Sequence, residues 1–178
     1  MDALLLALLL GFALDQGDRS QRLARALGPA ALVPVCFIIL IGAVCASALG
    51  LLVAPYLQGP AGLLFFAVAL VLGASGLLMP GGAAKAESAS RVALAFQLLV
   101  HRLANGSSFL LVGISAMTGN VWATALGGTL GGLGALLPPL LAGGDYERAV
   151  PLRVIRPVVG AVLLIAGLGC GLSAMGLL

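Results

Sequence analysis

Two carboxylates stand inside an otherwise apolar stretch near the start of the chain. Asp15 and Asp18 belong to the segment DQGDRS (15–20), within an apolar run from about residue 3 to residue 27. Residues three positions apart lie on one face of a helix, so both side chains are within reach of a single bound ion. Because acids inside a membrane-length helix are costly, their presence predicts a functional site for a cation or a proton.

A second polar cluster lies half a chain further on. A shift of 89 positions places Gly17 on Gly106 and sets the segment ANGSS (104–108) opposite the first cluster. Glycines loosen both helices near their middles and free backbone carbonyls, and hard cations such as calcium or manganese prefer oxygen ligands. The expected cation-binding residues are Asp15, Asp18, Asn105 and Ser107, with Asp15 and Asp18 as the metal ligands.

Basic side chains in the same apolar segments leave alternatives open. Arg19 and Arg102 also lie within predicted spans, so the two acids and two bases can neutralise each other and lock the bundle without a cation. Arg19 can instead extend toward the cytoplasmic surface. His101 is either a proton relay or a hydrogen-bonding residue of the core.

The composition indicates an all-α polytopic membrane protein. Of 178 residues, 61% are hydrophobic and only 8% charged, and the mean hydropathy is +1.18. Soluble domains carry roughly 25% charged residues, so the lipid bilayer is the expected partner. The basic residues form no continuous patch, so no nucleic-acid partner is expected. The sequence shows no Ser-His-Asp, Cys-His or phosphate-loop pattern, so we expect neither an enzyme nor a resident cofactor.

Six transmembrane helices are predicted from apolar runs of about 20 residues. They divide into a first three-helix repeat over 1–80 and a second over 92–178, joined by a hydrophilic linker at 81–91. Because each repeat holds three spans, the two repeats insert in opposite orientations, an arrangement typical of secondary transporters. The predicted spans are 3–27, 30–54, 61–79, 92–115, 120–142 and 157–177.

The basic residues predict the orientation. With six spans, all of the flanking Lys and Arg side chains fall on one side of the membrane. The positive-inside rule makes that side cytoplasmic. We therefore expect a multi-pass protein of a bacterial inner membrane, with the 80–91 loop cytoplasmic and both termini outside.

The first cluster resembles the Glu-x-Gly-Asp-(Lys/Arg)-(Ser/Thr) signature of the cation/proton exchangers typified by the Golgi calcium and manganese transporter, transmembrane protein 165, in the lysine-exporter superfamily. The resemblance implies two inverted three-helix repeats with one signature in each. It also implies calcium or manganese as the transported substrate, bound by the acids of both signatures.

Carried over by position, the signature places Asp15 where the family has Glu, and Asp18 at the second acid. The supporting positions are Gly17, Arg19 and Ser20. The second signature departs: Ala104 and Ser107 replace the two acids, Ser108 replaces the base, and only Gly106 is retained.

Three functions are consistent with these features. The leading hypothesis is a secondary transporter, a cation/proton antiporter that works by alternating access. A second is a non-transporting membrane protein of the same fold with an assembly or regulatory role, which the missing acids and Arg102 favour. A third is an exporter of a small organic solute whose carboxylate meets Arg19 or Arg102. A homo-oligomer is an open possibility in each case.

Overall fold

The chain is a series of α-helices joined by short connections. The structure is a computed structural model that describes residues 2–16, 18–78, 90–143, 145–146 and 150–178. It is 89% helical, and no described residue is in a strand. Gly17 and most of the predicted 81–91 linker lie outside the described residues. The helices are α1 (Ala3–Asp15), α2 (Arg19–Leu27), α3 (Leu32–Val53), α4 (Pro60–Leu78), α5 (Arg91–Ala104), α6 (Gly106–Thr118), α7 (Val121–Ala142) and α8 (Leu152–Ala174).

Both halves of the chain have the same order of elements. Each begins with two consecutive short helices, α1 with α2 and α5 with α6, and continues with a helix of 22 residues and a further long helix. The axes of α5 and α6 differ by 43° at their junction. Each half therefore starts with an interrupted helix, next to the polar cluster of that half.

Four helices are long and apolar enough to cross a membrane, which supports a multi-pass membrane protein. They are α4, α7, α8 and α3 with its flanking short turns (Pro29–Tyr56), and the bent α5–α6 pair adds a fifth candidate. The apolar part of the predicted first span is α1, whose 13 residues are short for a crossing. Six spans in inverted repeats therefore stay a prediction.

Specific residues set the helix ends that frame the polar clusters. Gly28 has a positive φ of 71°, and Pro29 follows it, which ends α2. The side chain of Asn105 accepts a hydrogen bond from the backbone N–H of Ser108 and caps α6. Asp18 holds the equivalent position before α2, but its side chain makes no capping bond and is directed elsewhere.

Glycines allow the closest helix contacts. The two most extensive pairings among the described helices are α1 with α7 and α4 with α8. A Cβ added at Gly127 or Gly131 of α7 would overlap the backbone carbonyls of Leu4 and Leu8 in α1. In lipid, where apolar burial gives little drive for association, such close backbone contact stabilises helix pairs.

Candidate functional site

Asp15 and Arg102 form a buried ion pair between the two halves of the chain. Asp15 is the last residue of α1, and Arg102 lies in the last turn of α5. Arg102 donates through Nη1 to Asp15 Oδ2, and the two side chains are 0% and 1% exposed. A pair so deeply buried is stable only if each charge keeps its partner.

Two glycines make room for Arg102. A Cβ added at Gly42 of α3 would lie 2.8 Å from Arg102 Cγ, and one added at Gly132 of α7 would overlap Nη2. Nη2 itself is buried and has no hydrogen-bond partner among the described residues. The bundle thus accommodates a full guanidinium at a place where any larger residue on α3 or α7 would displace it.

Asn105 forms the junction between α5 and α6. Its Oδ1 accepts from Ser107 Oγ at 2.8 Å and from Ser108 N at 3.1 Å, and its Nδ2 donates to Asp15 Oδ1 over 3.4 Å. Ser108 Oγ in turn donates to the carbonyl of Arg102 at the end of α5. Because both lone pairs of Oδ1 are already in use, Asn105 serves as a helix cap and is not poised as a cation ligand.

Asp18 and His101 form a second ion pair beside the first. His101 Nε2 lies 2.8 Å from Asp18 Oδ2, and Ser20 Oγ donates to the same oxygen at 2.8 Å. In contrast to Asp15 and Arg102, these two side chains are 23% and 26% exposed. An ionised carboxylate only accepts, so Nε2 of His101 carries the proton of this contact.

A cavity of about 190 Å³ reaches the second ion pair. Its polar lining residues are Asp18, His101, Asn105 and Ser107, and its apolar wall comes mainly from α4. Asp15 is not among the residues that line it. The predicted cation-binding residues therefore divide: Asp18, Asn105 and Ser107 face one cavity, while Asp15 is engaged by Arg102 outside it.

The supporting residues of the signature take different positions. Ser20 is buried against Asp18, and Gly106 is pressed on α4, where its added Cβ would lie 2.6 Å from Gly73 Cα. Arg19 is exposed and lines no part of the cavity, so it is not one of the bases of the core. The base beside Asp18 is His101 instead. The two acids also do not share a helix face, since Asp15 ends α1 and Asp18 precedes α2.

Sequence reasoning missed a set of amide and phenol groups next to the ion pairs. Gln16 Oε1 accepts from Gln21 Nε2 at 3.2 Å and from the hydroxyl of Tyr146 at 3.1 Å. Gln21 Nε2 also donates to the carbonyl of Ala135 in α7 at 2.7 Å. Two glutamines within one apolar run were the available signal, since buried amides require partners.

Each acid of the site lies beside a basic side chain. The Asp18–His101 pair lines the 190 Å³ cavity, and the Asp15–Arg102 pair does not. Within the described ranges, no three His, Cys, Asp or Glu side chains are grouped in a way that would hold a metal ion. The arrangement can therefore exchange a proton on His101 and offer one carboxylate, together with the Ser107 hydroxyl, to a cation.

Comparison with known proteins adds no relative. No protein-family model, curated protein or solved structure matches the chain.

Proposed function

We propose that this protein is an integral membrane secondary transporter that exchanges a cation for protons by alternating access. The observation that carries the proposal is the Asp18–His101 pair on the wall of the 190 Å³ cavity, between the ends of two interrupted helices. Ionisable pairs inside a membrane bundle are commonly found along ion pathways and proton relays. Broken helices at a central site are also typical of secondary transporters.

The exchange follows from competition for one carboxylate. When His101 is protonated, its imidazolium neutralises Asp18, and a cation entering the cavity meets no net charge. When His101 loses its proton, the negative charge of Asp18 is uncompensated, and a cation can bind it with the help of Ser107. Proton and cation binding thus exclude each other, which is the requirement for antiport.

In this proposal, Asp15 is a structural residue and not a cation ligand. The guanidinium of Arg102 contacts its carboxylate and joins the first half of the chain to the second. This placement differs from the expectation that Asp15 and Asp18 bind one ion together. It leaves a single carboxylate for the substrate, so the oxygen-rich shell of a calcium site is at best partly formed here.

The architecture we propose is six spans in two inverted three-helix repeats, in a bacterial inner membrane with both termini outside. Support comes from the matching order of elements in the two halves and from the contact between their polar clusters. The short α1 and the polar α2 together form the sixth crossing in this arrangement. The family resemblance of the first cluster makes calcium and manganese the first substrates to test.

Flux measurements on purified protein in liposomes test the transport proposal. With an outward proton gradient, we expect uptake of manganese or calcium by the wild-type protein, measured with an enclosed fluorescent indicator. Asp18→Asn keeps the side-chain shape and removes the charge, so uptake should fall to the level of empty liposomes. Asp2→Asn is the matched control, because Asp2 is an exposed acid outside the cavity, and it should leave uptake unchanged.

A set of monovalent cations extends the same assay. If sodium or potassium is transported and manganese and calcium are not, exchange is retained and the substrate class changes to one that matches a single carboxylate. Absence of flux for all four cations in well-folded wild-type protein would contradict transport.

A second candidate function is a non-transporting membrane protein of the same fold, with an assembly or regulatory role. The observation that favours it is that Asp15 and Asp18 each have a basic partner, above all the buried Asp15–Arg102 pair. In that case Asp18→Asn changes thermal stability and has no flux to abolish, so the liposome assay separates the two candidates.

A further inference from the structure

A larger cavity lies apart from the one that contains Asp18. It has a volume of about 520 Å³ and opens where α2, the second half of α7 and the beginning of α8 meet. Ligand pockets in proteins commonly measure about 300 to 1,000 Å³, so the space suits a small organic group. Four arginines line it: Arg22, Arg25, Arg153 and Arg156.

The charge around this cavity is strongly positive. None of its described lining residues is acidic. In sequence, the connection between α7 and α8 contains two acids, Asp145 and Glu147. Two acids are too few to neutralise the four lining arginines. A cluster of like charges around one space is stabilised when an anion enters it.

The start of α8 adds to the same field. Arg153 and Arg156 lie in the first two turns of α8, and its first turn contains no acidic residue. The N-terminus of a helix carries a partial positive charge, so basic residues there are unfavourable on their own. An anion bound between the arginines offsets this repulsion. Arginine also matches phosphate geometry through paired N–H donors.

We propose that this cavity binds a phosphate-bearing anion, either the headgroup of an anionic lipid or a soluble organic phosphate. The guanidinium groups meet the phosphate. Gln21 and Tyr146 also line the cavity, but they donate their hydrogen bonds to Gln16 and to the carbonyl of Ala135. The remaining wall is apolar, from Pro139, Val150 and Leu152, and suits a glycerol unit. This site is independent of cation transport, because none of its residues lines the cavity of Asp18.

Ligand-induced thermal stabilisation of the full-length protein in detergent tests the site. The two probes are dioleoylphosphatidylglycerol, compared with dioleoylphosphatidylcholine, and glycerol 3-phosphate, compared with potassium chloride at equal ionic strength. We expect one anionic probe or both to raise the unfolding midpoint in a saturable way. Stabilisation by the lipid alone identifies a headgroup site, and stabilisation by glycerol 3-phosphate identifies a site for soluble phosphates.

Arg153→Gln is the diagnostic variant, because Arg153 is exposed and lines the cavity. Loss of one charge-assisted contact should raise the apparent Kd about tenfold. Arg153→Lys should have an intermediate effect, since it keeps the charge and loses the paired donors. Arg91→Gln removes an exposed arginine at the start of α5 and is the matched control. No stabilisation by either probe, or equal loss in Arg153→Gln and Arg91→Gln, would overturn the proposal.

Discussion

Asp15 and Arg102 are 87 positions apart in the sequence and form an ion pair from which solvent is excluded. One partner ends the first helix of the first half, and the other lies in the last turn of the first helix of the second half. The pair therefore connects the two polar clusters directly. It also fixes the charge that the signature of the first half would otherwise offer to a cation.

Removal of one member of this pair should destabilise the protein strongly. Arg102→Gln leaves Asp15 buried and unpaired, which typically costs about 3–5 kcal/mol, so the unfolding midpoint in detergent should fall sharply. Asp15→Asn combined with Arg102→Gln removes both charges and should recover most of the loss. Arg91→Gln, at an exposed position, should have little effect. If the double variant is no more stable than Arg102→Gln alone, the pairing does not explain the cost.

The glycines beside Arg102 should not tolerate even one methyl group. Gly42→Ala places a Cβ 2.8 Å from Arg102 Cγ, and we expect a loss of about 1–3 kcal/mol from overpacking. Gly169→Ala is the control, because its Cβ would meet nothing within 4 Å. That helical position should gain about 0.5–1 kcal/mol from the lower flexibility of alanine. Equal effects in the two variants would mean that Arg102 has room to move.

The contribution of the Asn105 cap to stability should exceed that of an ordinary helix cap. Asn105 and Asn120 both cap helices, but only Asn105 also donates to Asp15. Asn120→Ala should cost about 0.5–2 kcal/mol, the usual loss for a cap. Asn105→Ala should cost more, because Asp15 Oδ1 and the Ser107 hydroxyl also lose the hydrogen bonds that Asn105 makes to them. Thermal unfolding of the two variants under identical conditions measures the difference.

The proposed exchange predicts a pH phenotype for His101. His101→Gln retains a hydrogen-bond donor toward Asp18 and cannot gain a proton. If competition between proton and cation is the coupling device, cation affinity in this variant should lose most of its dependence on pH between about 5 and 8, the range in which histidine normally titrates. The measurement is cation binding across that range, with the wild-type protein in parallel. An unchanged pH dependence would place the coupling proton elsewhere.

The orientation prediction can be tested with cysteine labelling. Single cysteines at Ser88 and Leu178, in a background without Cys36, Cys45 and Cys170, should react with an impermeant reagent from opposite sides of the membrane. The positive-inside rule predicts that Ser88 lies on the cytoplasmic side. Labelling of both positions from the same side would contradict an odd number of crossings between them.

Most helix positions could be predicted from the sequence. Long apolar runs bounded by Pro and Gly define α3, α4 and α7 within a few residues of the predicted spans, because a membrane-length apolar segment has few other stable conformations. The first span differs, since the predicted 3–27 is divided into α1 and α2. There the cluster of polar residues ends α1, and the side chains of α2 are rotated about the helix axis relative to those of an uninterrupted helix.

That rotation explains why the partners of the acids could not be predicted. Each residue turns a helix by about 100°, so the residue at which α2 restarts decides which side chains point inward. The restart at Arg19 leaves Arg19 exposed and buries Ser20, so His101 becomes the base beside Asp18.

The position of both bases on one turn of α5 has a mechanical consequence. The start of α6 is held against α4 by the close approach of Gly106 to Gly73, while Asn105 joins α6 to α5 at an angle of 43°. Any swing of α5 about this joint displaces His101 and Arg102 together, and so withdraws both counter-charges from Asp18 and Asp15 in a single stroke. A movement of α5 that separated His101 from Asp18 would therefore also break the buried Asp15–Arg102 pair, whose loss carries a large free-energy cost.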